Sequence, residues 1–159
     1  MKISLFIIVF LLSPFAFSNF VFQPDGCEYS VKFPRKPTFQ TLSTEYYGQY
    51  QVAAISNDEF FLKAECMKII DKLSAEDRKR GMVLYAQNNG IQYPSFEQSS
   101  GSLGQMNSMR GSKIIANKPV TVGVVIYYGQ SSFLSIQVGA LSHIYPTKEI
   151  IRFLDSVTH

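Results

Sequence analysis

The chain has 159 residues, 46% of them apolar and 17% charged, with a formal charge of +3. That length suits one domain able to bury about two-thirds of its unfolded surface. So small a charge excludes an electrostatic grip on nucleic acid or anionic membrane. Two cysteines and two histidines do not make a zinc or iron–sulfur site on the usual ligand spacings, and no cofactor is expected.

The chain opens MKISLFIIVFLLSPFAFSNF, with one charge at Lys2, an apolar run over residues 3–17, and small residues at Ala16 and Ser18. This pattern predicts a signal peptide over residues 1–18, cut before Asn19. A transmembrane anchor is the alternative, but the run falls short of the roughly 20 residues a spanning helix needs and Pro14 interrupts its end. No cysteine stands at the cut site, so a lipid anchor is not expected. Residues 19–159 are left as one domain without a membrane-spanning segment, exported to the periplasm or the extracellular space. That compartment is oxidising, which favours a Cys27–Cys66 disulfide over two buried thiols.

The stretch CEYSVKF puts Cys27, Tyr29, Val31 and Phe33 on one face and Glu28, Ser30 and Lys32 on the other, the period of a half-buried strand. Pro34 and Pro37 end it, since neither has an N–H for a ladder. Further strands are predicted over 38–47, 49–56 and, after the turn residues Asn57, Asp58 and Glu59, over 60–69. Both cysteines face inward. In serial order, however, the first and fourth strands would lie about 14 Å apart at the usual spacing, whereas a disulfide needs Cα atoms within about 7 Å. The bridge therefore predicts a non-serial approach.

A helix is predicted over 75–88. Ser74 caps it with Asp77 three residues on, Met82, Val83 and Ala86 form its buried stripe, and Asn88, Asn89 and Gly90 stop it. The basic triplet Arg78-Lys79-Arg80 beside Glu76 and Asp77 reads as a solvated helix face. Residues 91–112 are rich in Ser and Gly and suggest only a short strand near 95–99 and a turn over 101–104. A strand candidate follows at 109–116. KPVTVGVVIYYG and SSFLSIQVGAL are then two strongly apolar strands covered on both faces. Pro146 and Thr147 start a closing helix, with Ile150, Ile151, Phe153, Leu154 and Val157 on its buried side. The expectation is an α+β fold, an antiparallel sheet flanked by helices.

The FPxxP of residues 33–37 after Asp25-Gly26, the mid-chain helix, the turn Tyr127-Tyr128-Gly129 and the closing Arg152-Phe153-Leu154-Asp155-Ser156 together resemble the PsbP-like α/β/α sandwich superfamily. The resemblance covers nearly all of residues 19–159. It implies scaffold or adaptor roles in assembling larger complexes and supplies no catalytic residues.

No Walker loop, GxGxxG fingerprint or G-x-S-x-G elbow is present. His143, in LSHIYP, is the one loop histidine placed to act as a general base in a small hydrolase, which would also need a serine and an orienting acid. The leading expectation is a non-catalytic interaction module with another protein as partner, contacting it through Arg35, Lys36 and Tyr47. A pocket for a small apolar ligand between sheet and helix is the other alternative.

Overall fold

Alternation of apolar and polar residues runs through most of the chain after residue 30, and it builds one large sheet. The computed structural model describes residues 20–45, 48–69 and 73–159. Residues 1–18 and Tyr47 lie outside that range. Two three-residue strands, β1 (Phe20–Phe22) and β2 (Val31–Phe33), form a separate antiparallel ribbon. The large sheet is built from β3 (Thr38–Thr44), β4 (Gly48–Ser56), β5 (Phe60–Lys68), β6 (Gln92–Gly101), β7 (Gly104–Ile115), β8 (Lys118–Tyr128) and β9 (Ser132–Leu141). Its order is β3-β4-β5-β9-β8-β7-β6, antiparallel throughout. The helices are α1 (Ala75–Asn88) and α2 (Lys148–Asp155).

The most apolar strand takes the middle of the sheet. In β9 only Leu141 escapes full burial, because both faces are covered. Leu134, Ile136 and Val138 of β9, with Leu62 and Ala64 of β5, pack on one side under the β1–β2 ribbon and α2. Phe33 and Phe153 meet there with ring centroids 4.7 Å apart. Val120, Val122 and Val124 of β8 face the other way and pack with Met82 and Ala86 of α1.

The expected α/β/α sandwich does not form. Of the described residues, 56% lie in strands and 16% in helices. Each helix covers part of a face, and α2 shares its face with the ribbon. The shortfall has a physical origin in residues 91–112. Their serines, glutamines and asparagines hide the period-2 signal, yet they form the ten- and twelve-residue arms of the β6–β7 hairpin. β6 is an edge strand with no buried residue, so it needs no apolar alternation.

The first predicted strand is also corrected. Only its last three residues are strand, and they belong to the ribbon above the sheet. This is the non-serial route the disulfide required. Residues 27–33 lie over the face onto which Cys66 of β5 points, and the Cα atoms of Cys27 and Cys66 come within 6.1 Å. The helix over 75–88 forms as predicted, with the Ser74–Asp77 capping box. In α2, Ile150 and Phe153 are buried but Ile151 is exposed. Ile150 and Ile151 are adjacent and point about 100° apart around the helix, so with Ile150 and Phe153 turned inward Ile151 falls outside the buried stripe.

Candidate functional site

Four features meet at one end of the sheet. They are the β6–β7 turn at Ser102 and Leu103, the β8–β9 turn at residues 129–131, the end of β5 at Ile69, and the first turn of α1. Between them lies a cleft of about 730 Å³, a size common for small-ligand sites.

Each wall has a local cause. Glu28, next to the disulfide, seats its carboxylate in the β8–β9 turn and accepts N–H bonds from Gln130 at 3.1 Å and from Ser131 and Ser132 at 2.9 Å. Burial alone would raise this carboxyl's pKa, but the three N–H donors and the Ser132 hydroxyl outweigh burial and hold it below its usual value. A Cβ on Gly129 would come within 2.0 Å of that carboxylate, so a larger residue there would push Glu28 out of its N–H cradle. Opposite, Gly104 has φ +87°, and a Cβ there would press on the Tyr128 carbonyl and the Tyr29 hydroxyl. Tyr29 is buried and donates its hydroxyl to the Leu103 carbonyl at 3.0 Å, which pins the β6–β7 turn to the cleft. Burial, followed by the nearby Glu28 charge, raises the Tyr29 phenol, so it stays a neutral donor.

The cation of the cleft is Arg78. Its Nη1 donates to the Leu73 carbonyl at 2.8 Å, and the guanidinium carbon stands 5.3 Å from the centre of the Tyr128 ring. Its Nε is buried and has no hydrogen-bond partner among the described residues. Among the described residues lining the cleft, Arg78 is the only lysine, arginine, aspartate or glutamate. Ile69, Leu73, Leu103, Tyr29 and Tyr128 give the cleft apolar and aromatic surface, and Ser102, Gln105, Gln130 and His159 contribute polar surface in nearly equal share. Sequence reasoning missed Arg78 by grouping it with Lys79 and Arg80, which are exposed. The signal was present in the helical period: 78, 82 and 86 share one face, and Met82 and Ala86 are buried.

The residues proposed from sequence lie elsewhere. Arg35 is exposed and donates through Nη2 to the Ser56 carbonyl at 3.1 Å, and Lys36 beside it is exposed too. Both sit at the far end of β3 from Glu45 and Gly48, the described residues flanking Tyr47. That separation is about 20 Å along a seven-residue strand. His143 stands exposed on the turn after β9, with no hydrogen-bond partner among the described residues. The length of β9, about 30 Å, separates it from the cleft. A second polar cluster lies on the α1 face of the sheet, where Glu65 pairs with Lys63 and accepts from Gln137 Nε2 at 3.2 Å. Its polar groups satisfy one another. Among the described residues no group of His, Cys, Asp and Glu could hold a metal ion, and no helix is long and apolar enough to cross a membrane.

Architecture and site together define a mostly-β domain built on one large sheet and a small ribbon, stapled by a disulfide, with a cleft of mixed polar and apolar lining that carries a single arginine. No protein-family model matches the chain, and no curated protein matches it by sequence. The PsbP-like resemblance thus gains no support from a family match. Among solved structures the chain is similar to LpqN of Mycobacterium tuberculosis, described as involved in cell envelope biogenesis. The identity is 16% and the TM-score 0.43, over 84% of this chain and 85% of that one. A likeness at that level fixes neither family nor function.

Proposed function

We propose that this protein is an exported, non-catalytic binding module, matured by removal of residues 1–18, whose single domain over 19–159 holds a small ligand with an apolar body in the cleft at the end of the sheet. The observation that carries this reading is the cleft itself, about 730 Å³ in volume, in which Tyr29, Tyr128, Ile69, Leu73 and Leu103 supply the apolar part of a mixed lining. Such a surface gains free energy when an apolar body displaces water from it, at about 25 cal/mol per Å² buried. Export is supported by the Cys27–Cys66 disulfide, since such bonds persist in oxidising compartments.

A protein-contact reading through Arg35, Lys36 and Tyr47 is less favoured, because Arg35 and Lys36 stand at the other end of β3 from Glu45 and Gly48, the described residues that flank Tyr47 in the sequence. The hydrolase reading has no serine or carboxylate hydrogen-bonded to His143 among the described residues.

Native mass spectrometry of gently purified protein, followed by a thermal-shift screen of small apolar compounds, tests the proposal. Bound mass or stabilising compounds are expected for the wild type, and both should be lost in Ser102→Trp, which fills the mouth of the cleft. A screen with no stabilising compound, or hits that persist in the tryptophan variant, would count against it.

A further inference from the structure

We infer that β3 is a pairing edge, and that two copies of this chain join through it as antiparallel neighbours about a two-fold axis at Thr41, fusing their large sheets into one. No residue of β3 lines the cleft, so the inference does not depend on what the cleft binds.

The sheet has two edge strands, and they are built differently. β6 is defended. Pro94 has no N–H to offer, Tyr93 stands at φ +50°, and the register with β7 shifts between Gln92 and Ser95. Glu97 adds a charge, and Gln98 Nε2 donates to the Ala75 carbonyl of α1 at 3.4 Å. Proline, bulges, charges and a covering helix are the devices by which an edge refuses a further strand. β3 has none of them. Its seven residues, TFQTLST, keep an unbroken register with β4, contain no charge, proline or glycine, and are exposed throughout. No strand lies on their outer side among the described residues.

What fits this edge is the same edge reversed. Arg35 and Lys36 stand just before β3 and Glu45 just after it, all three exposed. An antiparallel pair sets the start of each strand beside the end of the other. The basic residues of one copy then meet Glu45 of the second, whereas a parallel pair would set like charges together. A two-fold on Thr41, the middle residue, uses the whole strand. Thr41 faces Thr41 of the second copy, Phe39 faces Ser43, and Gln40 faces Leu42. The two Leu42 side chains become diagonal neighbours about 7–8 Å apart, within reach of each other. In the single chain Leu42 is 39% exposed, and this contact covers it. Phe39 is 46% exposed although its ring centroid lies 5.4 Å from that of Phe20, so the added strand closes the open side of that pair. With β6 defended, the assembly closes as a dimer instead of extending from edge to edge.

A contact confined to one strand edge is small, so a monomer–dimer equilibrium that follows concentration is expected. Sedimentation velocity of the purified protein over a concentration series reads it. Thr41→Lys and Thr41→Glu each set two like charges directly opposite, and each should weaken the dimer on the order of 100-fold. An equal mixture of the two variants should dimerise again, because lysine then faces glutamate. Ser99→Lys on β6 should leave the dimer intact.

A wild type that stays monomeric up to about 1 mM, or a dimer that survives both Thr41 substitutions, would overturn the assignment. So would a mixture that stays monomeric, loss of the dimer in Ser99→Lys, or wild-type particles that grow beyond two copies. Should either Thr41 variant lose its sheet signal by circular dichroism, hydrogen exchange of the wild type carries the test. Amide protection in β3 should then rise with protein concentration while that of β6 stays constant, and β3 protection independent of concentration would overturn the pairing.

Discussion

Glu28 and Ser132 hold each other reciprocally. The Ser132 N–H and hydroxyl donate to Glu28 Oε2 at 2.9 and 3.2 Å, and the Glu28 N–H donates back to Ser132 Oγ at 2.9 Å. The contact spans 104 residues and ties the disulfide loop to the turn that forms one wall of the cleft. Because the folded state holds the Glu28 carboxyl below its ordinary 4.5, its stabilisation is complete above that pH. It is lost as pH falls through the lower folded value. Glu28→Gln should cost about 1 kcal/mol near neutral pH. Denaturant midpoints should converge between wild type and variant as pH drops from about 5 to about 3, whereas curves that stay parallel would contradict this role.

The disulfide should matter to stability through the 39-residue separation it closes. Replacing both Cys27 and Cys66 by Ala is expected to remove about 4 kcal/mol in the chain-entropy account. Urea denaturation of wild type with and without reductant should show the same loss. A reduced protein as stable as the oxidised one would show that the ribbon and α2 hold residues 27–33 in place unaided.

Lys63 pairs with Glu65, which is only 8% exposed. Lys63→Met should leave that carboxylate short of a partner and cost about 1–3 kcal/mol, while Lys63→Met with Glu65→Leu should recover most of the loss. The pair of variants is compared by thermal denaturation, and equal losses in the single and double variants would refute the coupling.

Gly139 in β9 leaves room for the Phe61 ring, which an added Cβ would approach to 2.3 Å. Gly139→Ala should destabilise by about 1–3 kcal/mol through overpacking, and Phe61→Leu in the same chain should relieve part of it. Neutral behaviour of Gly139→Ala would mean that the ring has space to move aside.

Sequence patterning located the elements whose burial is lopsided or complete. The strands around Val122 and Ile136, the helix capped by Ser74, and the inward side of Leu62, Ala64 and Cys66 were all legible, because burial on one or both faces writes a period into the chain. β6 and β7 were legible only in part, as a short strand near 95–99 and a candidate over 109–116, since an edge hairpin with Ser, Gln and Asn on its open surfaces carries little such period. The placement of Val31 and Phe33 in a ribbon rather than the sheet was visible only through the distance the two cysteines had to bridge. The cleft was the least legible feature. It is assembled from turns far apart in sequence, and its cation stood inside a run of basic residues that looked like solvated surface. Only the shared helical face of Arg78 with Met82 and Ala86 distinguished it.

The most direct test of a ligand-binding cleft is amide chemical-shift mapping of the isotope-labelled protein titrated with decanoate. The expected result is a set of perturbed amides confined to residues 101–105, 128–131 and the first turn of α1, with those beside Arg35, Lys36 and His143 unmoved. Shifts centred on the Arg35–Lys36 segment, or spread evenly over the sheet, would contradict it.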